Sequence, residues 1–433
     1  MRKSIAIIGG GYSGLGTAYY LIKNGVPGKD ITIFESNSYL GGLASGIKTA
    51  EWEWPVDKVI HHWFTTDRWA MSIAKELGLW NKVIIKDTKS SSYYDGKIAE
   101  LDSAMSLLKL PFLSLMGRIR MGAILALLRL DKNFLRYEKE TSYNFIKRTM
   151  GEKVFRIMWE PLFKGKFGSY ADKISAAWFW ARINPRTKSL AYFKGGFQKY
   201  ADELGDFLKK KEVKIELNAK IKNVSGKTNK FSIKIGSDNK DFDCVVFATP
   251  LEVAANLFKD FSPTYKDKLK SYDMLGAQYF VLELKKPFFK DKTYWLNVQD
   301  SSFPFMMVAE HTNFVSPKHY NNKHIIWVGK YLNADNPLWS MDEKELLAKV
   351  INYLKKINSS FSEKDIERSF LTRFRYAQPV IPINYSKKIP SVRAPVKGIY
   401  LASLNHIYPW DRGTNNALGL GENVAKKIIC DLF

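Results

Sequence analysis

Ile5-Ala-Ile-Ile8 runs without interruption into Gly9-Gly-Gly11-Tyr-Ser-Gly14, and apolar residues follow at Leu15, Ala18, Tyr19 and Leu21. A short apolar run bounded by glycines reads as a buried strand, and the helical spacing after it reads as a helix opened by the turn. In such a Gly-x-Gly-x-x-Gly turn, Gly9 permits the tight bend and Gly11 lets the backbone approach a pyrophosphate. Gly14, with the small Ala18 one turn on, lets the helix pack on the strand. The helix N-terminus, carrying Tyr12 and Ser13, then faces the anion. Ile31-Thr-Ile-Phe34 makes a second strand that ends in Glu35 and Ser36, with Glu35 about 21 residues beyond Gly14. A carboxylate there accepts hydrogen bonds from a ribose 2′-hydroxyl and disfavours a 2′-phosphate, so NADP is not expected at this position. The order of strand, glycines, helix, strand and acid predicts a Rossmann-type unit around the ADP half of a dinucleotide.

A second glycine pair, Gly41-Gly42-Leu43-Ala44, comes six residues after Glu35. Backbone without side chains can run against the ribityl and pyrophosphate portion of an extended cofactor, which selects FAD over NAD.

The chain, 433 residues in all, is long enough for more than one core. Its 45% hydrophobic and 25% charged residues are ordinary globular usage. The formal charge of +24 favours anionic partners: phosphate groups, acidic lipid headgroups or nucleic acid. The aromatic residues are scattered among apolar runs, without an RNA-binding signature or zinc module, so nucleic acid is not expected. Cys244 and Cys430 stand far apart with no metal or redox spacing, and the four-residue apolar start is too short for a signal-peptide core. A reducing cytoplasm fits best.

Segments spread along the chain resemble the flavin-containing amine oxidase superfamily, which includes protoporphyrinogen oxidases and phytoene desaturases and, more distantly, UDP-galactopyranose mutases. Phe193-Lys-Gly-Gly-Phe-Gln198 with Leu204 is similar to the segment that introduces the family's return to its FAD domain. Asn218-Ala-Lys-Ile221 resembles the strand that meets adenine, and Val245-Val-Phe-Ala248-Thr249-Pro250 the strand that closes the domain. Gly398-Ile-Tyr-Leu-Ala-Ser403 leads through Tyr408-Pro-Trp410-Asp411 to Arg412-Gly413-Thr414 and a helical tail, Leu418 to Ile429. In the family that helix N-terminus points at the ribityl and pyrimidine end of the flavin, where its dipole stabilises negative charge on the reduced ring. Gly413 and Thr414 are the residues this implies. Two departures matter. Leu43 stands where many amine oxidases carry a cofactor-contacting Arg, and Ser403-Leu404-Asn405 stands where the family commonly has Gly and an acid, leaving Asn405 as the ribityl candidate. No aromatic pair over the flavin is assignable among Trp52, Trp54, Tyr376 and Trp410, so amine oxidation specifically is unsupported.

Between Leu101 and Lys166 apolar helices carry cations: Leu107-Leu-Lys-Leu-Pro-Phe112, Arg118, Arg120, Ala123-Ile-Leu-Ala-Leu-Leu128 and Arg129. No run reaches the length of a transmembrane helix. Basic residues beside large aliphatic ones suit an anionic membrane surface or the mouth of an apolar substrate tunnel, and the resembled desaturases and porphyrinogen oxidases place a membrane-facing region here. Core-facing amphipathic helices are the alternative. In Asp57-Lys-Val-Ile-His61-His62-Trp-Phe-Thr-Thr66 the two histidines, taken to lie on a strand and point apart, are a poor metal site. Either can move a proton or hydrogen-bond flavin or substrate, and a structural role weighs nearly as much.

The same stretch resembles the mutases, in which arginines clamp a nucleotide diphosphate; Arg373, Arg375 and Arg412 are candidates, with Trp410 facing substrate. Strands at Tyr279–Leu284 and Ile325–Gly329 and a helix near Glu343 to Ile357 suggest a sheet over the flavin, with Lys330 following one strand.

The expected fold is α/β. A discontinuous Rossmann-type FAD domain comes from residues 1–75, 190–268 and 392–433. A mixed sheet-plus-helix substrate domain comes from 76–189 and 269–391, with 101–166 its basic apolar helical part. The expected function is FAD-dependent oxidation, by hydride transfer to flavin N5, of a hydrophobic, lipid-linked or nucleotide-linked small molecule, at or near the cytoplasmic membrane face. A mutase that uses reduced FAD, or a non-catalytic flavin-binding partner protein, is the alternative.

Overall fold

The alternation that buries both faces of Ile5–Ile8 places this strand at the centre of the molecule, here in a computed structural model that describes residues 3–432. Ile5 and Ile7 join the main core, whereas Ala6 and Ile8 pack into a second cluster with Phe34, Val245 and Phe247. A strand buried on both faces needs parallel neighbours covered by other elements, which is why these strands are continuous apolar runs. The five-stranded sheet has the order Lys214–Glu216, Ile31–Phe34, Ile5–Ile8, Cys244–Phe247, Ile399–Leu401, and every pairing is parallel. In sequence order this is 3-2-1-4-5, the Rossmann arrangement, with the strand order reversing at Ile5–Ile8.

One segment is placed differently from expectation. Asn218 to Ile221 does not extend the parallel sheet; the edge strand is Lys214–Glu216, whose last carbonyl accepts the Glu35 amide at 2.9 Å. Asn218 then turns at φ +56°, and Ile221 opens a separate antiparallel sheet of three strands, Ile221–Lys227, Lys230–Ile235 and Asp238–Phe242. A left-handed residue ends the ladder there and swings Ala219 to Ile221 over the strand ends.

The first helix, Tyr12–Lys23, packs against the last, Thr414–Leu432. They approach closely enough that a Cβ on Gly421 would sit 2.5 Å from the Gly16 carbonyl carbon. Thus the helix capped by Gly11 and the helix that begins at Thr414 share one seam although they come from opposite ends of the chain.

A seven-stranded sheet lies beyond, in the order Ile366–Pro379, Met274–Leu284, His324–Leu332, Met307–Glu310, Thr293–Val298, Lys89–Tyr94, Lys97–Glu100. The helix Glu343–Ile357 has the expected bounds and buries Leu346, Val350, Ile351 and Leu354 against it. Asp57 locks the two halves together. Its fully buried carboxyl accepts from the Tyr192 hydroxyl at 2.8 Å and the Phe197 amide at 3.1 Å, while its carbonyl accepts from Trp327 Nε1 at 2.7 Å.

The 101–166 region is helical, chiefly Leu115–Leu130, Ser142–Met150 and Glu160–Phe167. Only Met121 and Leu128 of the first of these are buried; Leu115, Met116, Ile119, Leu127 and Leu130 are exposed, the last at 77%. Among the described residues no helix is long and apolar enough to cross a membrane.

Candidate functional site

Two cavities meet at the C-terminal ends of the parallel strands, where ligands bind in open α/β sheets. The larger, about 760 Å³, is lined by Gly9, Gly11, Tyr12 and Ser13 of the first turn, Glu35 and Ser36 of the second strand end, and Gly41, Gly42, Leu43 and Ala44. Ile221, Ala248, Thr249, Arg412, Gly413 and Thr414 line it as well. Gly9 has φ +112°, a conformation open mainly to glycine. Gly14 lies behind the wall, packed so tightly that a Cβ would fall 2.0 Å from the Gly9 carbonyl oxygen.

Gly11 has no such crowding. Its conformation is extended, and a Cβ there would meet only the Gly42 Cα, at 3.8 Å. The two glycine loops abut through a bridge between Gly11 and Gly41, and the Gly41 amide donates to the Gly10 carbonyl at 3.0 Å. Gly11 caps the first helix without any side-chain hydrogen bond, which leaves the helix N-terminus to an anion. Glu35 Oε2 accepts from the Gly10 amide at 2.8 Å, and Oε1 accepts from the Asn37 amide at 2.9 Å. The carboxylate therefore fixes the glycine turn as well as facing the cavity.

The second cavity, about 600 Å³, shares His61, Arg412, Gly413 and Thr414 with the first. Tyr279, Tyr331, Met306, Met307 and Trp295 line it from the large sheet, and Trp410 from the C-terminal turn. His61 and His62 both reach it, contrary to the expectation that they point apart on a strand. The strand begins only at Trp63, so the histidine pair is irregular backbone and no alternation applies. His61 Nδ1 lies 2.6 Å from the Val59 carbonyl, and His62 Nδ1 is buried with no hydrogen-bond partner among the described residues. Burial first, then Arg412 for His61 and Arg186 for His62, lowers both rings to about 3. They are neutral at physiological pH, so hydrogen bonding is open to them and a cationic acid role is not.

The N-terminus of the last helix is held at the joint of the two cavities. Trp63 Nε1 donates to Thr414 Oγ1 at 2.8 Å and the Ala70 amide donates to Asn415 Oδ1 at 3.1 Å. Beside it Asp411 accepts from Lys166 Nζ at 3.0 Å and Trp178 Nε1 at 3.2 Å, with an Arg182 nitrogen at 3.6 Å. Burial would raise the Asp411 carboxyl, but Lys166 and Arg182 outweigh it and hold it below its ordinary value. Burial lowers Lys166 to about 7, against the pull of Asp411. Asp67, raised to about 7 by burial, accepts from the Phe64 amide at 3.0 Å.

Several sequence candidates stand away from these cavities. Asn405 is buried and bonded to Tyr385 and Ser403, lining neither. Arg373 bonds to Gln278 and the Met341 carbonyl outside both, whereas Arg375 and Tyr376 line the cofactor cavity. Lys330 donates to the Phe303 carbonyl, Trp52 bonds to Glu283, and Trp54 stacks on His319. Conversely, the sequence reading missed Lys166, Arg182 and Arg186. For Arg182 the available signal was a lone cation in the otherwise apolar run Ala176–Ile183, where an unpaired charge in a core is strongly unfavourable; Lys166, one of two lysines in Phe163–Phe167, and Arg186, exposed in the following loop, left no such mark.

Comparison with known proteins agrees with this geometry. Residues 12–429 match the family described as flavin containing amine oxidoreductase. Coproporphyrinogen III oxidase of Staphylococcus aureus (strain NCTC 8325 / PS 47) is 24% identical over 300 residues, 60% of this chain and 63% of that protein's length. Reduced UDP-galactopyranose mutase superposes with a TM-score of 0.79 at 14% identity, over 99% of this chain and 96% of that one. Cyclohexylamine oxidase from Brevibacterium oxydans IH-35A superposes at 0.75 and 15% identity over the whole of both chains. At such identities the structural likeness concerns the fold. The larger cavity suits FAD on its own evidence: a side-chain-free approach at Gly11, an uncapped helix N-terminus for the pyrophosphate, and Glu35 at the ribose end.

Proposed function

The chain belongs to the flavin containing amine oxidoreductase family and is an FAD-dependent oxidoreductase; from this premise we propose that the second cavity is its substrate chamber and that a small molecule with an apolar body is oxidised there. Support comes from His61, Arg412, Gly413 and Thr414, which line both cavities and would bring substrate and cofactor into contact. Bound FAD supplies a two-electron acceptor at N5. Gly9, Gly11 and Ser13 would hold its pyrophosphate, Glu35 its ribose, and Gly413 and Thr414 its ring end, where the helix dipole favours negative charge.

The aromatic wall of Tyr279, Tyr331, Trp295 and Trp410 orients the substrate and excludes water. His61, with Nδ1 turned to Val59, offers Nε2 as a neutral hydrogen-bonding atom. The Asp67 carboxyl and the Lys166 amine, both near 7, are the groups of the chamber able to exchange a proton at neutral pH. The name of the Staphylococcus aureus relative points to a porphyrinogen as the first substrate to try. Under anaerobic conditions a porphyrinogen is expected to bleach the yellow holoprotein. Absence of bleaching, with interconversion of a UDP-sugar by the reduced protein instead, would select the mutase reading, which the cations of the chamber favour. If neither reaction occurs, the assignment of the second cavity as a substrate chamber is overturned.

The same reading extends to location. Leu115, Met116, Ile119, Leu127 and Leu130 are exposed beside Arg118, Arg120 and Arg129 on one helix, which supports docking of this face on anionic lipid. The protein should float with phosphatidylserine vesicles at low salt and less at high salt, because screening weakens the electrostatic part. Vesicles of neutral lipid binding equally well, with no salt effect, would remove the basis for it.

A further inference from the structure

We infer that Glu138 is a positioning residue: through the Tyr408 hydroxyl, its carboxylate holds the irregular turn that presents Trp410, Asp411 and Arg412 at the joint of the two cavities. This rests on the flavin ring end lying at that joint.

Residues 408–413 belong to no helix or strand, yet Trp410, Asp411 and Arg412 line the chamber and Arg412 lines the cofactor cavity as well. Backbone outside a ladder takes its position from the contacts that tie it down, and those contacts decide how well a site is held. The far end of the turn is fixed where Trp63 Nε1 donates to Thr414 Oγ1, and the middle where Lys166 and Trp178 donate to Asp411. The near end is fixed by Glu138, whose Oε1 accepts from the Tyr408 hydroxyl at 2.8 Å.

Glu138 is itself anchored. It is buried and follows directly on the short helix Phe134–Tyr137. Its Oε1 also accepts from the Ser386 amide at 2.6 Å, and its Oε2 from the Ser386 hydroxyl at 2.8 Å. Its carbonyl accepts from the Asn384 amide at 3.0 Å and the Ser175 hydroxyl at 3.3 Å. Ser175 in turn caps Ala176–Ile183, the helix that carries Trp178 and Arg182. One residue thus joins the helix behind the chamber, the 384–386 loop and the C-terminal turn. Burial would raise the Glu138 carboxyl, but the Ser386 and Tyr408 donors outweigh it and hold it below its ordinary value. Burial and then Glu138 push the Tyr408 phenol well up. The pair therefore remains a phenol donating to a carboxylate at neutral pH, a bond roughly twice as strong as one between neutral groups.

The Tyr408 ring sits between Tyr385, 5.2 Å away, and Phe134, 5.5 Å away, so its hydroxyl has a fixed direction. Trp410 comes two residues later, its ring 5.2 Å from that of Trp180. Two residues reach at most about 7 Å, so displacement of Tyr408 passes along the turn. Arg412 resists it with one side-chain hydrogen bond, to Gln378 Oε1 at 3.2 Å, and with its position over the Tyr331 ring. A guanidinium moved away from the ring end of a flavin stabilises the negative charge of the reduced ring less.

The test reads the midpoint potential of the bound flavin against a dye of known potential, together with the urea midpoint of the FAD-loaded protein. Arg412→Gln sets the reference for losing the cation. Tyr408→Phe and Glu138→Gln should retain FAD and lower the potential in the same direction as Arg412→Gln. The reduction equilibrium should shift about threefold or more, roughly 15 mV for a two-electron couple. The double variant should shift it no further than the larger single variant, because both remove one bond. Ser386→Ala, which takes a donor from Oε2 and leaves Tyr408 tethered, should lower the urea midpoint alone. Tyr408→Phe removes a single oxygen and carries the test if Glu138→Gln does not fold. Lower urea midpoints with an unchanged potential in Tyr408→Phe and Glu138→Gln, while Arg412→Gln shifts it, would show a purely structural tie and overturn the inference. So would a double variant shifted by the sum of the two singles. An unchanged potential in Arg412→Gln as well would remove the ring end from the joint, and the inference falls with that reading.

Discussion

Valine at Gly11 is expected to give a folded but colourless protein, and alanine at Gly14 a protein that barely folds. The two glycines stand three residues apart in one motif, but they face different partners. At Gly11 the backbone has φ −76° and ψ 179°, extended values that any residue adopts, and a Cβ would have its nearest neighbour at 3.8 Å. Valine's methyls would project into the cavity where the pyrophosphate approaches the helix N-terminus. Displacing it from two charge-assisted hydrogen bonds forfeits about 3–6 kcal/mol, on the order of 10²- to 10⁴-fold in affinity. At Gly14 a Cβ lands 2.0 Å from the Gly9 carbonyl oxygen, a backbone atom that cannot rotate away. Separating helix from strand at the centre of the main sheet costs about 3 kcal/mol or more. Flavin absorbance after desalting and the urea midpoint of each variant read the two effects separately. A yellow Gly11→Val protein would mean that the cofactor does not pass this turn.

Loss of the Asp411 carboxylate should be the most destabilising change in the chamber. Lys166 is 4% exposed, and without Asp411 its ammonium faces Arg182 and Arg412 with no acid to balance it. Breaking a buried pair from one side costs roughly 3–5 kcal/mol. The sign of the pH dependence follows from Lys166. Its folded pKa already lies near 7, below the ordinary 10.5, so the unfolded chain binds the proton more readily than the folded one. Acidification therefore favours unfolding through this group, and Asp411→Ala should be hurt more at pH 6 than at pH 9. Adding Lys166→Met to Asp411→Asn should restore much of the stability, since the asparagine keeps an acceptor for Trp178 and no ammonium remains to be balanced. Urea midpoints of wild type, both single variants and the double variant at the two pH values complete the cycle. An Asp411→Ala midpoint equal to wild type at pH 6 would show that Lys166 does not depend on this pair.

The resemblance to amine oxidases carried the cofactor but not the substrate, for a reason visible in these residues. FAD contacts are dominated by backbone at glycines, by helix termini and by one acid, and all of these leave short, ordered marks. The stretch from Gly398 to Arg412 was legible for the same reason, as a strand followed by a turn into a helix. The chamber has no such mark. Lys166, Arg182 and Arg186 come from helices and a loop, Tyr279 and Tyr331 from neighbouring strands, and Asp411 from the far end of the chain.

By itself, the sequence from Ile5 to Glu35 determined a Rossmann-type unit, because period, glycine spacing and a strand-end acid act locally. Gly41-Gly42 and the helix starting at Thr414 narrowed it to FAD. Only the tertiary structure decided that Asn218 turns out of the sheet, that both histidines face one chamber as neutral rings, and that Arg373 stays outside while Arg186 lines the wall. Those outcomes depend on which distant charges and rings burial brings together, and burial is a property of the packed chain rather than of any stretch of it.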